Sequence, residues 1–224
     1  MRRIKLADRV LPTYTKGEEI FNMTTHIVGG GLGLIGMILC IIMSAKHYNV
    51  YGIIGSIIYG ISLITLYTIS SVYHGLSPKI KAKKVMQILD HCSIYILIAG
   101  CYTPILLTSI RAVDSVTAWW LLGIVWVLAA IGITLNAIDL ESTKIFSMIC
   151  YLLMGWCIIF KFDVLLKAVP VGGIVFLVLG GIAYTAGTIF YGLGTKIKYF
   201  HSIFHLFILL GSILQFFSIL LYVV

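Results

Sequence analysis

Charge is what this chain is short of. Only 11% of its 224 residues are Asp, Glu, Lys or Arg, while 60% are hydrophobic, far outside the composition of a soluble domain. No polar stretch is long enough to build a soluble domain, and the segment before Ile27 is too short for a core of its own. The five cysteines (Cys40, Cys92, Cys101, Cys150 and Cys157) are odd in number and have no C-x-x-C spacing. That implies no disulfide framework, and they read better as small buried hydrophobes. A small-x-small cleavage site is missing after the first apolar run, so a retained helix rather than a signal peptide is expected there. The glycines at Gly29, Gly30, Gly31, Gly33 and Gly36 have no phosphate-loop context. They read as close helix packing, with Gly29 and Gly33 as a small-xxx-small pair.

What is present is a series of apolar runs: Ile27–Met43, Val50–Val72, Cys92–Ile110, Val116–Leu135, Ile145–Phe160, Val169–Tyr191 and Tyr199–Val224. Most approach or exceed the ~20 residues that cross a hydrocarbon core. The expected fold is therefore all-α, a polytopic seven-transmembrane-helix bundle forming one domain over residues 1–224, with residues 1–21 as a short basic cytoplasmic N-terminal segment. The net charge of +8 does not point to nucleic acid, because the basic residues sort by loop. Twelve of them (Arg2, Arg3, Lys5, Arg9, Lys16, Lys79, Lys81, Lys83, Lys84, Lys144, Lys196 and Lys198) fall on one side and four (Lys46, Arg111, Lys161 and Lys167) on the other. This asymmetry predicts a cytoplasmic N-terminus, and seven crossings then put the C-terminus outside. The cluster Lys79–Lys84 reads as a topology signal in contact with anionic lipid.

Ionisable side chains are costly in a membrane helix and mark functional sites. His201 and His205 are four apart, on one face of the last helix. His74 ends the second run, with Ser70 one turn before it, and Asp90 and His91 open the third. On the predicted topology His26, His74, Asp90, His201 and His205 share one depth near the cytoplasmic face, while His47 belongs to an outer loop and is expected to be solvated. Three neutral imidazoles with an open position suit zinc better than calcium or magnesium. Asp90 is then the carboxylate placed to hold or deprotonate a water there. Glu19, Asn22 and His26 are expected to form an inward polar stripe on the first helix. Acids in a first turn also complement the helix dipole, which accounts for Glu18 and Glu19 equally well.

These residues resemble the hemolysin III family, within the progestin and adipoQ receptor group and more distantly related to the alkaline ceramidases. The resemblance rests on Glu19-Ile20-Phe21-Asn22 with Thr25-His26, Ser70-Ser71-Val72-Tyr73-His74, Asp90-His91 through Gly100-Cys101-Tyr102-Thr103-Pro104, and His201-Ser202-Ile203-Phe204-His205-Leu206-Phe207. It implies a seven-helix bundle in a bacterial plasma membrane with zinc held by His74, His201 and His205. It further implies that Asp90 and Ser70 flank the water at the metal, with Glu19, Asn22, His26 and His91 as the supporting polar shell. Three functions follow as expectations: a zinc-dependent hydrolase of a lipid amide or ester, with an acyl lipid from the membrane as partner; a receptor or membrane-homeostasis protein with structural zinc; and a cytolysin. The apolar runs carry no stripe of charge that would line a pore.

Overall fold

The structure is a computed structural model, and it describes all residues except 1–3, 5 and 195. Three of the basic residues in the topology argument, Arg2, Arg3 and Lys5, therefore lie outside the described residues. Helices α1 (Lys16–Lys46), α2 (Val50–Gly75), α3 (Lys81–Ile105), α4 (Ser115–Trp156), α5 (Phe162–Ala168), α6 (Val171–Leu193) and α7 (Phe200–Tyr222) make up the fold, with no strand among the described residues. The all-α membrane class read from composition holds, since six helical segments are long and apolar enough to cross a bilayer. In lipid every backbone polar group must be satisfied within the segment, which leaves helices as the solution for such apolar runs.

Local chemistry sets the helix starts. Thr15 accepts the Glu18 N–H at 3.3 Å while the Glu18 carboxylate accepts the Thr15 N–H at 2.8 Å, a reciprocal cap that begins α1 eleven residues before its apolar run. Asn49 caps α2 through the Gly52 N–H, and Asp114 caps α4 through the Thr117 N–H. Pro104 lies inside α3 and is followed by a π-helical turn, Leu106–Ile110, as expected where a missing N–H disturbs the ladder.

Helix α4 spans 42 residues, which as one straight rod would run about 63 Å. It is not one rod. Asp139 has extended backbone angles (φ −156°, ψ 89°). Beyond it the chain turns back, because Asn136 hydrogen-bonds both Ser147 at 2.6 Å and Tyr151 at 3.3 Å. Fifteen helical residues would separate Asn136 from Tyr151 by about 22 Å in a continuous helix. The second arm ends in a 3-10 turn, Cys157–Lys161, where the Tyr102 hydroxyl donates to the Gly155 carbonyl and accepts the Ile158 N–H.

Helix α3 is the hub: the segment that contains it, Lys81–Val113, is 78% buried over its most apolar stretch against 28% for α1. Around it α2 and α4 pack directly, α1 lies against α2 and α7, and α6 pairs with α7. Small residues permit these approaches, as membrane packing requires. A Cβ on Gly29 would lie 2.5 Å from the Tyr67 ring, and one on Gly55 would lie 2.7 Å from the Pro104 backbone. A cavity of about 460 Å³ is left among α3, the second arm of α4, α6 and α7.

Candidate metal centre

The buried face of α1 follows helical spacing: Glu18, Asn22, His26, Gly29, Gly33, Gly36 and Cys40 all point inward. Glu18, not Glu19, heads this stripe, which corrects the expectation that Glu19 does. Neither acid acts merely as a first-turn charge. Glu18 completes the cap and accepts the Tyr199 N–H at 2.6 Å, tying the start of α1 to the start of α7. Tyr199 sits in the left-handed region (φ 63°), a conformation that turns the chain sharply into the helix carrying His201 and His205.

Glu19 reaches sideways to His74. Its Oε2 lies 2.6 Å from His74 Nδ1, and its Oε1 accepts a hydrogen bond of 2.5 Å from Lys83 Nζ. Lys83 also donates to the Leu76 carbonyl at 2.9 Å and is 1% exposed. It therefore does not touch lipid headgroups, as the reading of Lys79–Lys84 as one surface cluster had it. Lys83, Gln87 and Asp90 recur at i, i+4 and i+7, so they share one face of α3, and that periodicity separates Lys83 from Lys81 and Lys84.

The ring nitrogens of His74, His201 and His205 gather within 4.8 Å of one another, and all three residues are buried. His201 Nε2 and His205 Nε2 are 3.1 Å apart. His74 Nε2 has no protein partner among the described residues. Zn–N bonds near 2.0–2.1 Å in a tetrahedral site put two ligand nitrogens about 3.3 Å apart. The α7 pair already has that separation, and a side-chain movement of under about 1.5 Å brings in His74. With Glu19 on Nδ1, His74 presents its Nε2 lone pair, the outer-shell arrangement that metal-bound histidines carry. The donor set fits a tetrahedral metal.

Ser70 and Asp90 line the cavity beside this cluster, together with His26, His91 and His205. The Ser70 hydroxyl is adjacent to the Asp90 carboxyl. His26 stacks on His205 with ring centroids 3.8 Å apart, and neither of its nitrogens has a protein partner among the described residues, nor do the Asn22 amide atoms. His91 turns its ring toward Tyr191, while its backbone carbonyl accepts the Tyr151 hydroxyl at 2.7 Å. The nine sequence-derived site residues thus lie around one end of the bundle. His47 is exposed at the other.

Tyr14 was not foreseen. It precedes α1, stacks on His201 with centroids 4.8 Å apart and tilts over His74 at 5.7 Å. Burial, reinforced by Tyr73, Tyr191, Asp90 and Glu19, holds its phenol well above the ordinary value, so it stays a neutral hydroxyl. The segment before it is strapped across this end of the bundle. Arg9 donates to Gln87 at 2.9 Å, Lys84 to the Ala7 carbonyl at 2.6 Å, and the Ile4 N–H to Asp139 at 3.2 Å. Burial lowers the Arg9 pKa, and Glu141 and Asp139 oppose the shift.

Compared with known proteins, the haemolysin-III-related family model matches residues 14–216. The chain belongs to that family. It is 39% identical to Hemolysin-3 of Bacillus cereus over 206 residues, covering 92% of each chain. It is 38% identical to the Hemolysin-3 homolog of Bacillus subtilis (strain 168) over 211 residues, 94% of this chain and 97% of that one. A more distant likeness, 28% over 170 residues, covers 72% of this chain and 67% of the human monocyte to macrophage differentiation factor. The resemblance drawn from the motifs therefore holds. This is a hemolysin-III-type integral membrane protein with a three-histidine cluster able to hold a metal.

Proposed function

We propose that this family member is a zinc-dependent hydrolase that cleaves an amide or ester bond in a membrane lipid. The observation that carries the reading is that His205, one of the three clustered histidines, lines a mostly apolar cavity of about 460 Å³ together with Asp90 and Ser70. That volume lies in the range of small-molecule sites. Its far end is walled by Ile158, Phe162 and Leu165, side chains suited to an acyl chain.

His74, His201 and His205 would hold the zinc, which when bound would supply Lewis-acid polarisation of the scissile carbonyl. Asp90 accepts a proton from the attacking water as the new C–O bond forms, and delivers it to the leaving nitrogen or oxygen as the old bond breaks. The products are a fatty acid and the free amine or alcohol. Ser70 donates a hydrogen bond to the carbonyl oxygen as negative charge develops there. The fold-back at Asp139 supports seven crossings, and the loop-charge asymmetry then puts the N-terminus in the cytoplasm and the C-terminus outside. An exported reporter fused after Val224 is then active and a cytoplasmic one inactive, and the reverse pattern sinks the topology.

Fatty-acid release from a panel of N-acyl and ester lipids tests the chemistry. Asp90→Asn keeps its zinc and loses about 10²–10⁴-fold in turnover. Equal release by wild type, Asp90→Asn and His205→Ala removes the hydrolase reading. A second reading treats zinc as a clip, because the histidines join α2 to α7 and the Glu19–Lys83 pair extends the connection to α1 and α3. Under it Asp90→Asn lowers metal affinity by roughly 10–100-fold instead. A pore gains little support, since Asp90 and Lys144 are the charged side chains lining the cavity among the described residues.

A further inference from the structure

We infer that Glu19 and Lys83 form a positioning pair that fixes the His74 tautomer and aims its Nε2 at the metal. The inference rests on the metal reading above and extends it to two side chains outside the ligand set. Neutral imidazole carries its proton on one nitrogen, and only the other has a lone pair to give. The Glu19 carboxylate at 2.6 Å from Nδ1 selects the Nδ1–H form, which leaves Nε2 free to ligate, and that is the nitrogen without a protein partner among the described residues.

A carboxylate alone rotates, and its charge would also draw the metal or a second donor toward itself. Lys83 restrains both tendencies. Its ammonium takes Oε1, so the carboxylate presents Oε2 to the histidine, and the pair is neutral as a whole. The lysine is itself held by the Leu76 carbonyl just past the end of α2 and lies 5.2 Å over the Tyr73 ring. Lysine is almost never buried this completely unless paired. A pair serving only to tie helices together would not need to end on the one imidazole whose far nitrogen faces the metal cluster.

The test measures metal affinity, without turnover. Purified protein is titrated with zinc against a chromophoric chelator, and separately loaded with Co(II) to record its visible absorption. Glu19→Gln is expected to weaken zinc binding by about 10–100-fold and to shift the cobalt bands. Lys83→Met is expected to weaken it through Glu19, so adding Lys83→Met to Glu19→Gln changes affinity little further, and the two effects are not additive. Lys81→Met, on the same helix but exposed, binds like wild type. Melting in EDTA monitors the fold, and the double variant, which removes both charges together, carries the comparison if a single variant is unstable.

Wild-type zinc affinity and cobalt spectrum in Glu19→Gln overturn the inference and leave the metal site standing. Additive losses overturn it also, because they mean two independent structural roles. Absence of zinc binding by wild type overturns this inference together with the reading on which it rests.

Discussion

At its histidine end the bundle buries Glu18, Asn22, His26, His74, Lys83, His201 and His205; Glu18, His74 and Lys83 are bonded to other segments of the chain, and the Asn22 amide and His26 ring have no protein partner among the described residues. The opposite end is closed by apolar side chains such as Leu106, Ile110, Val125 and Val169 and by contacts as tight as Gly55 on Pro104. The two ends rely on different forces. Polar groups in a low dielectric are worth their desolvation only when each finds a partner, so the histidine end specifies geometry. The apolar end has no such requirement and specifies fit.

The sharpest break of this contrast is His205→Ala. A zinc site rarely survives loss of one of three protein ligands, so metal content should fall from about one zinc per chain to none, with an earlier melt. His47→Ala, at the other end, should change neither. Retained zinc in His205→Ala, measured by elemental analysis, would remove the division of labour.

Much of the histidine end was legible beforehand. His74, Asp90, His201 and His205 could be set at one depth because run boundaries and loop charge fix where each helix crosses the surface. What could not be read was rotation about the helix axis. Glu18 and Glu19 are neighbours in sequence but about 100° apart around α1, and only packing decides that one meets Tyr199 and the other His74. The same holds for Lys83 against Lys84. The fold-back at Asp139 was implied by two separate apolar runs. By contrast, the short α5 was hidden, because Lys161, Asp163 and Lys167 make Phe162–Ala168 read as a charged connection between two apolar runs. Tyr14 lay outside every apolar run, so nothing marked it as a cover for His201.

Gly55→Ala sharpens the comparison from the apolar side. The added methyl meets backbone atoms at 2.7 Å, which cannot rotate away, so a destabilisation of about 1–3 kcal/mol is expected with zinc stoichiometry intact. Thermal melting beside metal analysis checks it, and loss of zinc would mean that the two ends are coupled.

Tyr14→Ala should act more mildly. It removes a stacked ring worth about 0.5–1.5 kcal/mol beyond area burial and opens the cluster to water. Zinc should then transfer to a chelator several-fold faster, by stopped-flow, at little cost in melting temperature. An unchanged rate would mean that the strap does not limit access.

Asp114 gives the smallest effect. Its carboxyl accepts from the Thr117 N–H and O–H, and these bonds, aided by Lys161 and the Val116 N–H against a small burial penalty, hold its pKa below the ordinary carboxylate value. A depressed folded-state pKa stabilises above the unfolded value and loses that contribution as pH falls through the folded one. Asp114→Asn should therefore melt slightly earlier at neutral pH and converge with wild type in acid. A constant offset across pH would assign the effect to capping geometry alone.

The hydrogen bond from Tyr199 to Glu18 spans 181 positions of sequence, and that separation has a consequence for biosynthesis. Translation delivers α1, α2 and α3, with Glu19, His74 and Lys83, long before His201 exists. A nascent chain halted before Phe200 already has the carboxylate, the lysine and one imidazole, but it has neither of the nitrogens that pair at 3.1 Å. On the metal reading proposed above, loading would wait for the completed polypeptide, because a chain truncated ahead of its final helix lacks His201 and His205.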